Sequence, residues 1–89
     1  MDYTELRERL RTTLARSKRA NGVSLGLYGT DGNGHRVTLP DTDTRYGYVR
    51  SYVLFPDNTV GRYWFDAWGG GRWRCNGYTT LARARMYPR

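Results

Sequence analysis

Between Arg62 and Arg89 the chain interleaves arginines with aromatic rings. Arg62, Arg72, Arg74, Arg83, Arg85 and Arg89 share this stretch with Tyr63, Trp64, Trp68, Trp73 and Tyr78, against one acid, Asp66. A guanidinium grips phosphate through a rigid fork of N–H donors, and a flat ring stacks on a base or on the guanidinium itself. Base stacking on such rings is worth about 1–3 kcal/mol per base, and cation–π contacts add to it. The pattern predicts a surface for a polyanion. Arg50, Arg62, Arg72, Arg74, Arg83 and Arg85 would hold a phosphate backbone, and Trp64, Trp68 and Tyr48 would reach base or sugar. A small domain poor in Leu and Ile must also build its core from aromatics. At least two of the three tryptophans are therefore expected to be core.

The charge has the same geography. The net +7 resides at the two ends: residues 1–20 carry six basic and three acidic side chains, 21–61 three and four, and 62–89 six and one. Such a field attracts nucleic acid irrespective of sequence.

Catalytic chemistry is hard to assemble from what remains. His35 is the only histidine and sits in the turn-rich run GTDGNGH. Asp41 and Asp43 lie in a polar loop with no third ligand nearby. Gly29, Gly32 and Gly34 lack the following helix and the Lys-Ser/Thr of a phosphate loop. Cys75 is the only cysteine, which excludes an internal disulfide and a cysteine-based zinc site and fits a small half-buried strand residue in a reducing cytoplasm. The expectation is a protein that is not an enzyme and has neither cofactor nor metal. The acids Asp2, Glu5 and Glu8 rule out a signal peptide, and no run approaches the roughly 20 apolar residues of a membrane span. A soluble cytoplasmic protein is expected.

The elements that would position these groups follow from periodicity. Tyr3, Leu6, Leu10 and Leu14 form an apolar stripe on a helix expected over residues 1–20. Glu5 and Arg9 make an i,i+4 pair, Lys18 and Arg19 fall in the last turn, and Gly22 is the expected C-cap. Arg7, Arg11 and Lys18 line a second stripe. Antiparallel strands of about four to five are expected over 23–76. Val23, Leu25 and Leu27 alternate onto one face, and a turn leads back through Val37 and Leu39. Along the next strand Tyr48, Arg50, Tyr52 and Leu54 oppose Val49, Val53 and Phe55. After Pro56-Asp57-Asn58, Val60, Arg62, Trp64, Asp66 and Trp68 oppose Tyr63 and Phe65. Gly69-Gly70-Gly71 breaks this strand, and a short one follows over 72–76, with Arg72 and Arg74 opposite Trp73 and Cys75. Thr79 or Thr80 would cap a short helix over 79–87. The whole reads as one α+β domain of 89 residues, with helices on a Val, Leu and Phe face and tyrosines and arginines on the other. The N-terminal stripe could also be buried against a second copy in a homodimer.

The run from Tyr46 through Gly77-Tyr78-Thr79-Thr80-Leu81-Ala82-Arg83-Ala84-Arg85 resembles the three-stranded sheet and helix of the arm-type DNA-binding domains of tyrosine recombinases. That resemblance implies a sheet lying in a DNA groove. The end of the chain is also distantly similar to a double-stranded RNA-binding domain. It departs from that family at Thr79, Thr80 and Leu81, where the family places a lysine cluster. As a very small, strongly charged chain without motifs, it further resembles the accessory proteins of phages and mobile elements, anti-CRISPR proteins among them. That resemblance implies an inhibitor that binds a host defence effector and blocks target binding or cleavage. Three readings therefore stand: a basic binding protein acting on nucleic acid or a nucleoprotein complex, a phage-encoded inhibitor that binds protein, and a structural part of a larger assembly.

Overall fold

The structure is a computed structural model that describes residues 3–19, 21–30, 36–38, 48–67 and 69–85, with the backbone alone at 3, 30, 36–38, 48 and 85. Helix α1 spans Tyr3–Ala15. Its stripe buries Leu6 and Leu10 completely and packs Leu14 at the margin. Each such leucine contributes about 1.5–3 kcal/mol. Glu5 and Arg9 pair at 3.2 Å as their spacing predicts. The helix stops at Ala15 instead of running to residue 20. Leu14 is the last apolar residue of the stripe, and Ser17 then draws the backbone away. Its N–H donates to the Leu14 carbonyl (3.1 Å), and its hydroxyl accepts from the Arg19 N–H (3.2 Å). Lys18 and Arg19 therefore lie beyond the last turn, and Asn21 (φ 61°), not Gly22, takes the left-handed backbone.

Among the described residues five antiparallel strands follow: β1 (Val23–Thr30), β2 (Arg36–Thr38), β3 (Tyr48–Leu54), β4 (Thr59–Asp66) and β5 (Arg72–Thr80). They form one sheet in the order β2-β1-β3-β4-β5, and helix α2 (Leu81–Arg85) closes the described chain. The fold is α+β, as expected. No helix among the described residues is long and apolar enough to cross a membrane.

The β3–β4 turn is held by Asp57, whose carboxylate accepts from the Thr59 hydroxyl (2.6 Å) and N–H (3.1 Å). Those bonds, with Arg19 nearby, keep its carboxyl below the ordinary carboxylate range.

Alternation sorts β3 and β4 onto two faces as the sequence predicts. Val53, Phe55, Tyr63 and Trp73 pack with Leu27 and Val49 under α1. Trp73 is 4% exposed, and its indole N–H donates to the Leu6 carbonyl at 3.0 Å. Burial pushes the Tyr63 phenol up to about 12. Ser51, fully buried on this face, is satisfied by Ser24 Oγ at 2.8 Å and by the Tyr52 carbonyl at 3.2 Å.

Three expectations about the sheet are corrected. Val23, Leu25 and Leu27 do not share a face: the ladder shifts between Ser24 and Leu27, where Gly26 takes φ 117°. That bulge turns Leu25 to the opposite face from Leu27 and leaves Val23 63% exposed. The last strand runs on to Thr80 instead of ending at 76, because a second bulge opposite Arg62, with Gly77 at φ 114°, resumes the pairing. Thr80 then caps α2, its hydroxyl accepting from the Arg83 N–H at 3.2 Å. Finally, the helices lie on opposite faces. Leu81 and Ala84 of α2 sit over Tyr28, Tyr52, Val60, Leu25 and Leu54, on the face expected to be free of helix. Pairing through Thr80 explains this: the chain leaves β5 beside Val60, whose apolar side chain lies on that face.

Candidate nucleic-acid interface

Among the described residues α2 covers one end of its face, and the other end carries the arginines. Register sets them out. Arg50 of β3 lies between Tyr28 of β1 and Trp64 of β4, and Trp64 lies opposite Arg74 of β5. One row crossing four strands thus reads Tyr28, Arg50, Trp64, Arg74, with neighbours about 5 Å apart. Arg62 stands opposite Tyr52 in the next row, and Arg72 opposite Asp66 on the far side. Arginine and ring alternate across strands as well as along the chain. The cross-strand alternation is set by register and could not be read from the linear sequence.

Tyr28 and Tyr52 are buried, with ring centroids 5.7 Å apart, and form the junction between the two ends. Trp64 and Arg50 are half-buried, while Arg62, Arg72 and Arg74 are exposed. Asp66 organises the arginine-bearing end. One carboxylate oxygen accepts from Arg74 Nε at 2.8 Å, and the other accepts from the Gly69 N–H at 2.7 Å. The Asp66 side chain is 15% exposed against 47% for Arg74, so the carboxylate is the anchored partner and the guanidinium the presented one. Arg62 and Arg72 form no ion pair among the described residues. Each extends along a glycine. An added Cβ at Gly77 would come within 3.1 Å of Arg62 Nη2, and one at Gly70 within 3.4 Å of Arg72 Nη2.

The remaining candidates divide. Arg83 is exposed on α2, at the covered end. Tyr48 opens β3, paired in register with Thr30, and Arg85 ends α2. Trp68 lies outside the described residues, as do His35, Asp41 and Asp43. Of the tryptophans, Trp73 is core and Trp64 is not fully buried. Cys75 is exposed instead of half-buried, because β5 lies at the sheet edge beside its bulge. Among the described residues no three of His, Cys, Asp and Glu come together as a metal site.

Several basic side chains of the N-terminal segment are engaged in the fold, which sequence reasoning missed. Arg9 Nη1 donates to the Gly71 carbonyl at 2.8 Å, and Arg11 pairs with Glu8 at 2.8 Å. The Arg19 guanidinium lies 4.9 Å from the Phe55 ring centroid and 4.2 Å from that of Tyr78, and pairs with Asp57 at 2.9 Å. Its Nη1 is buried with no hydrogen-bond acceptor among the described residues. Asp66 was also missed. The spacing Asp66-x-x-Gly69 was the available signal, since an Asp side chain often closes a turn onto a nearby backbone N–H.

No protein family matches this chain, and neither a curated protein nor a solved structure shows significant similarity to it.

Proposed function

We propose that this chain is a non-enzymatic binding protein that acts on nucleic acid, free or within a nucleoprotein complex, through the arginine-bearing end of its α2 face. The observation that carries this reading is the grouping of the exposed Arg62, Arg72 and Arg74 at one end of a sheet face, with one acid among them, Asp66, that positions a guanidinium. The exposed guanidiniums of Arg62, Arg72 and Arg74 supply phosphate contacts.

The test is an anisotropy titration of the whole chain and of the Arg62→Ala/Arg72→Ala double variant. Neither arginine holds an ion pair among the described residues, so each replacement should move stability by no more than about 0.5 kcal/mol. Affinity for any sequence should fall, and the log–log salt slope should become shallower by roughly 0.7–0.9 for each phosphate no longer neutralised. An unchanged affinity and slope would remove this face from the binding surface.

A second reading is favoured by the Asp66–Arg74 pair, since a pre-oriented arginine beside a tryptophan also suits the centre of a protein interface. On it the chain is a phage-encoded inhibitor of a host defence effector. Absence of nucleic-acid binding at about 50 mM salt, with capture of a CRISPR effector from cells that carry one, would select it; 50 mM is where several phosphate contacts hold tightest.

A further inference from the structure

We infer that the glycine turn before β5, Gly69-Gly70-Gly71, is the seat of a single phosphate group held by Arg72 and Arg74; this deepens the nucleic-acid reading above and rests on it.

The first observation is where the two guanidiniums lie. A Cβ built on Gly69 would meet Arg74 Nη2 at 3.0 Å, and one built on Gly70 would meet Arg72 Nη2 at 3.4 Å. Neighbouring Cα atoms are about 3.8 Å apart. Two arginines of one strand thus bring their heads back to adjacent residues of the turn that precedes it. A side chain at 69 or 70 would crowd the space those heads occupy. Gly70, Arg72 and Arg74 are all exposed, so the group is reachable from solvent.

The second observation is which donors are left over. Asp66 accepts from Arg74 through Nε, at 2.8 Å. The two Nη groups of Arg74 make no hydrogen bond among the described residues, and neither does the Arg72 guanidinium. A carboxylate on Nε orients the guanidinium and leaves the Nη pair to bond two oxygens of one anion.

The third observation is that the turn is braced before any ligand arrives. Asp66 accepts from the Gly69 N–H through its side chain (2.7 Å) and from the Gly71 N–H through its carbonyl (3.1 Å). From α1, Arg9 Nη1 donates to the Gly71 carbonyl at 2.8 Å. Arg9 is balanced by Glu5 and Arg74 by Asp66, whereas Arg72 has no counter-charge among the described residues. The cluster therefore keeps one surplus cation beside a set of oriented N–H donors. A phosphate group supplies the complement. A diester within a strand offers two free oxygens and one negative charge, and a terminal monoester offers three oxygens and roughly two charges.

The experiment titrates the whole chain against labelled single-stranded DNA, single-stranded RNA and duplex DNA, each made with a 5′-phosphate and with a 5′-hydroxyl, at about 50 mM salt. Asp66→Asn and Arg72→Lys are run beside the wild type, with circular dichroism to confirm that they fold. Asp66→Asn removes one negative charge, so the net charge rises from +7 to +8, and a surface acting by charge alone would bind more tightly. A positioned site requires the opposite. Asp66→Asn should weaken binding by about 5- to 10-fold, the equivalent of one hydrogen bond, and Arg72→Lys, which keeps the charge and loses the fork, by a similar factor. Tighter binding of the 5′-phosphate forms would seat a terminal phosphate in the turn, and equal binding of the two forms, with both variants weakened, an internal one. A folded Asp66→Asn variant that binds as tightly as wild type, or more tightly, would overturn the inference while leaving the nucleic-acid reading intact. So would unchanged affinity in Arg72→Lys, which decides alone if Asp66→Asn does not fold. No binding of any probe by the wild type would overturn the reading and the inference together.

Discussion

The two faces of the sheet are made by the same alternating strands, yet their polar and aromatic groups are used differently. Under α1 the groups are consumed. Trp73 gives its N–H to Leu6, Arg9 gives a bond to Gly71, and Tyr63 is buried deeply enough to resist ionisation. On the other face α2 covers the end built from Tyr52, Leu54 and Val60. The other end presents Arg62, Arg72 and Arg74 with Trp64 among them. A tryptophan in this chain is therefore core, as Trp73, or half-buried, as Trp64, according to strand parity, not according to residue type.

Tryptophan replacement should break this contrast most visibly. Trp73→Ala removes a buried ring and its hydrogen bond and should cost about 3–5 kcal/mol in urea unfolding followed by circular dichroism. Such a drop is a large share of the stability of a domain this size. Trp64→Ala, at a half-buried site, should cost under about 2 kcal/mol. Equal costs would mean that the two faces are packed alike.

Arginines give the next largest difference. Arg19→Ala should cost about 1–2 kcal/mol, because it removes two cation–π interactions and an ion pair at once. The exposed Arg62 and Arg72 should cost almost nothing. An Arg19→Ala variant as stable as wild type would show that the contacts with Phe55 and Tyr78 do not hold the segment after α1.

The smallest effect is a pH dependence. The Tyr63 phenol rises from 10.0 to about 12 in the folded chain, so folding favours its protonated form. Its contribution is fully present below pH 10 and is lost as pH climbs from 10 toward 12. Tyr63→Phe should flatten that alkaline decline in a series of urea titrations. An unaltered decline would mean that the α1 face admits the phenolate.

Much of this architecture was legible from residue pattern. The alternations in β3 and β4 state which side chains oppose which, and the Leu6, Leu10, Leu14 spacing states the helix face. The departures have local causes. A glycine bulge costs one residue of register, so Gly26 separated Leu25 from Leu27, and Gly77 allowed β5 to continue to Thr80. That continuation carried α2 to the opposite face. The arginines of the candidate site were recognisable by type and parity. Their grouping with Trp64 depends on cross-strand register, and the capture of Arg74 by Asp66 depends on a Gly-rich turn that brings residues 66 and 74 together. Periodicity carries neither.

The two bonds from α1 to the far end of the chain, Trp73 to Leu6 and Arg9 to Gly71, span 67 and 62 residues. Contacts so distant in sequence cannot form until β5 has been made. On the ribosome α1 is made first but waits for β5, and until then its leucines are exposed to chaperones and to other nascent chains. The last strand is thus both an arginine-bearing edge of the sheet and the clasp that ends assembly. Truncation or delay at that point should leave an aggregation-prone chain, not a smaller working one.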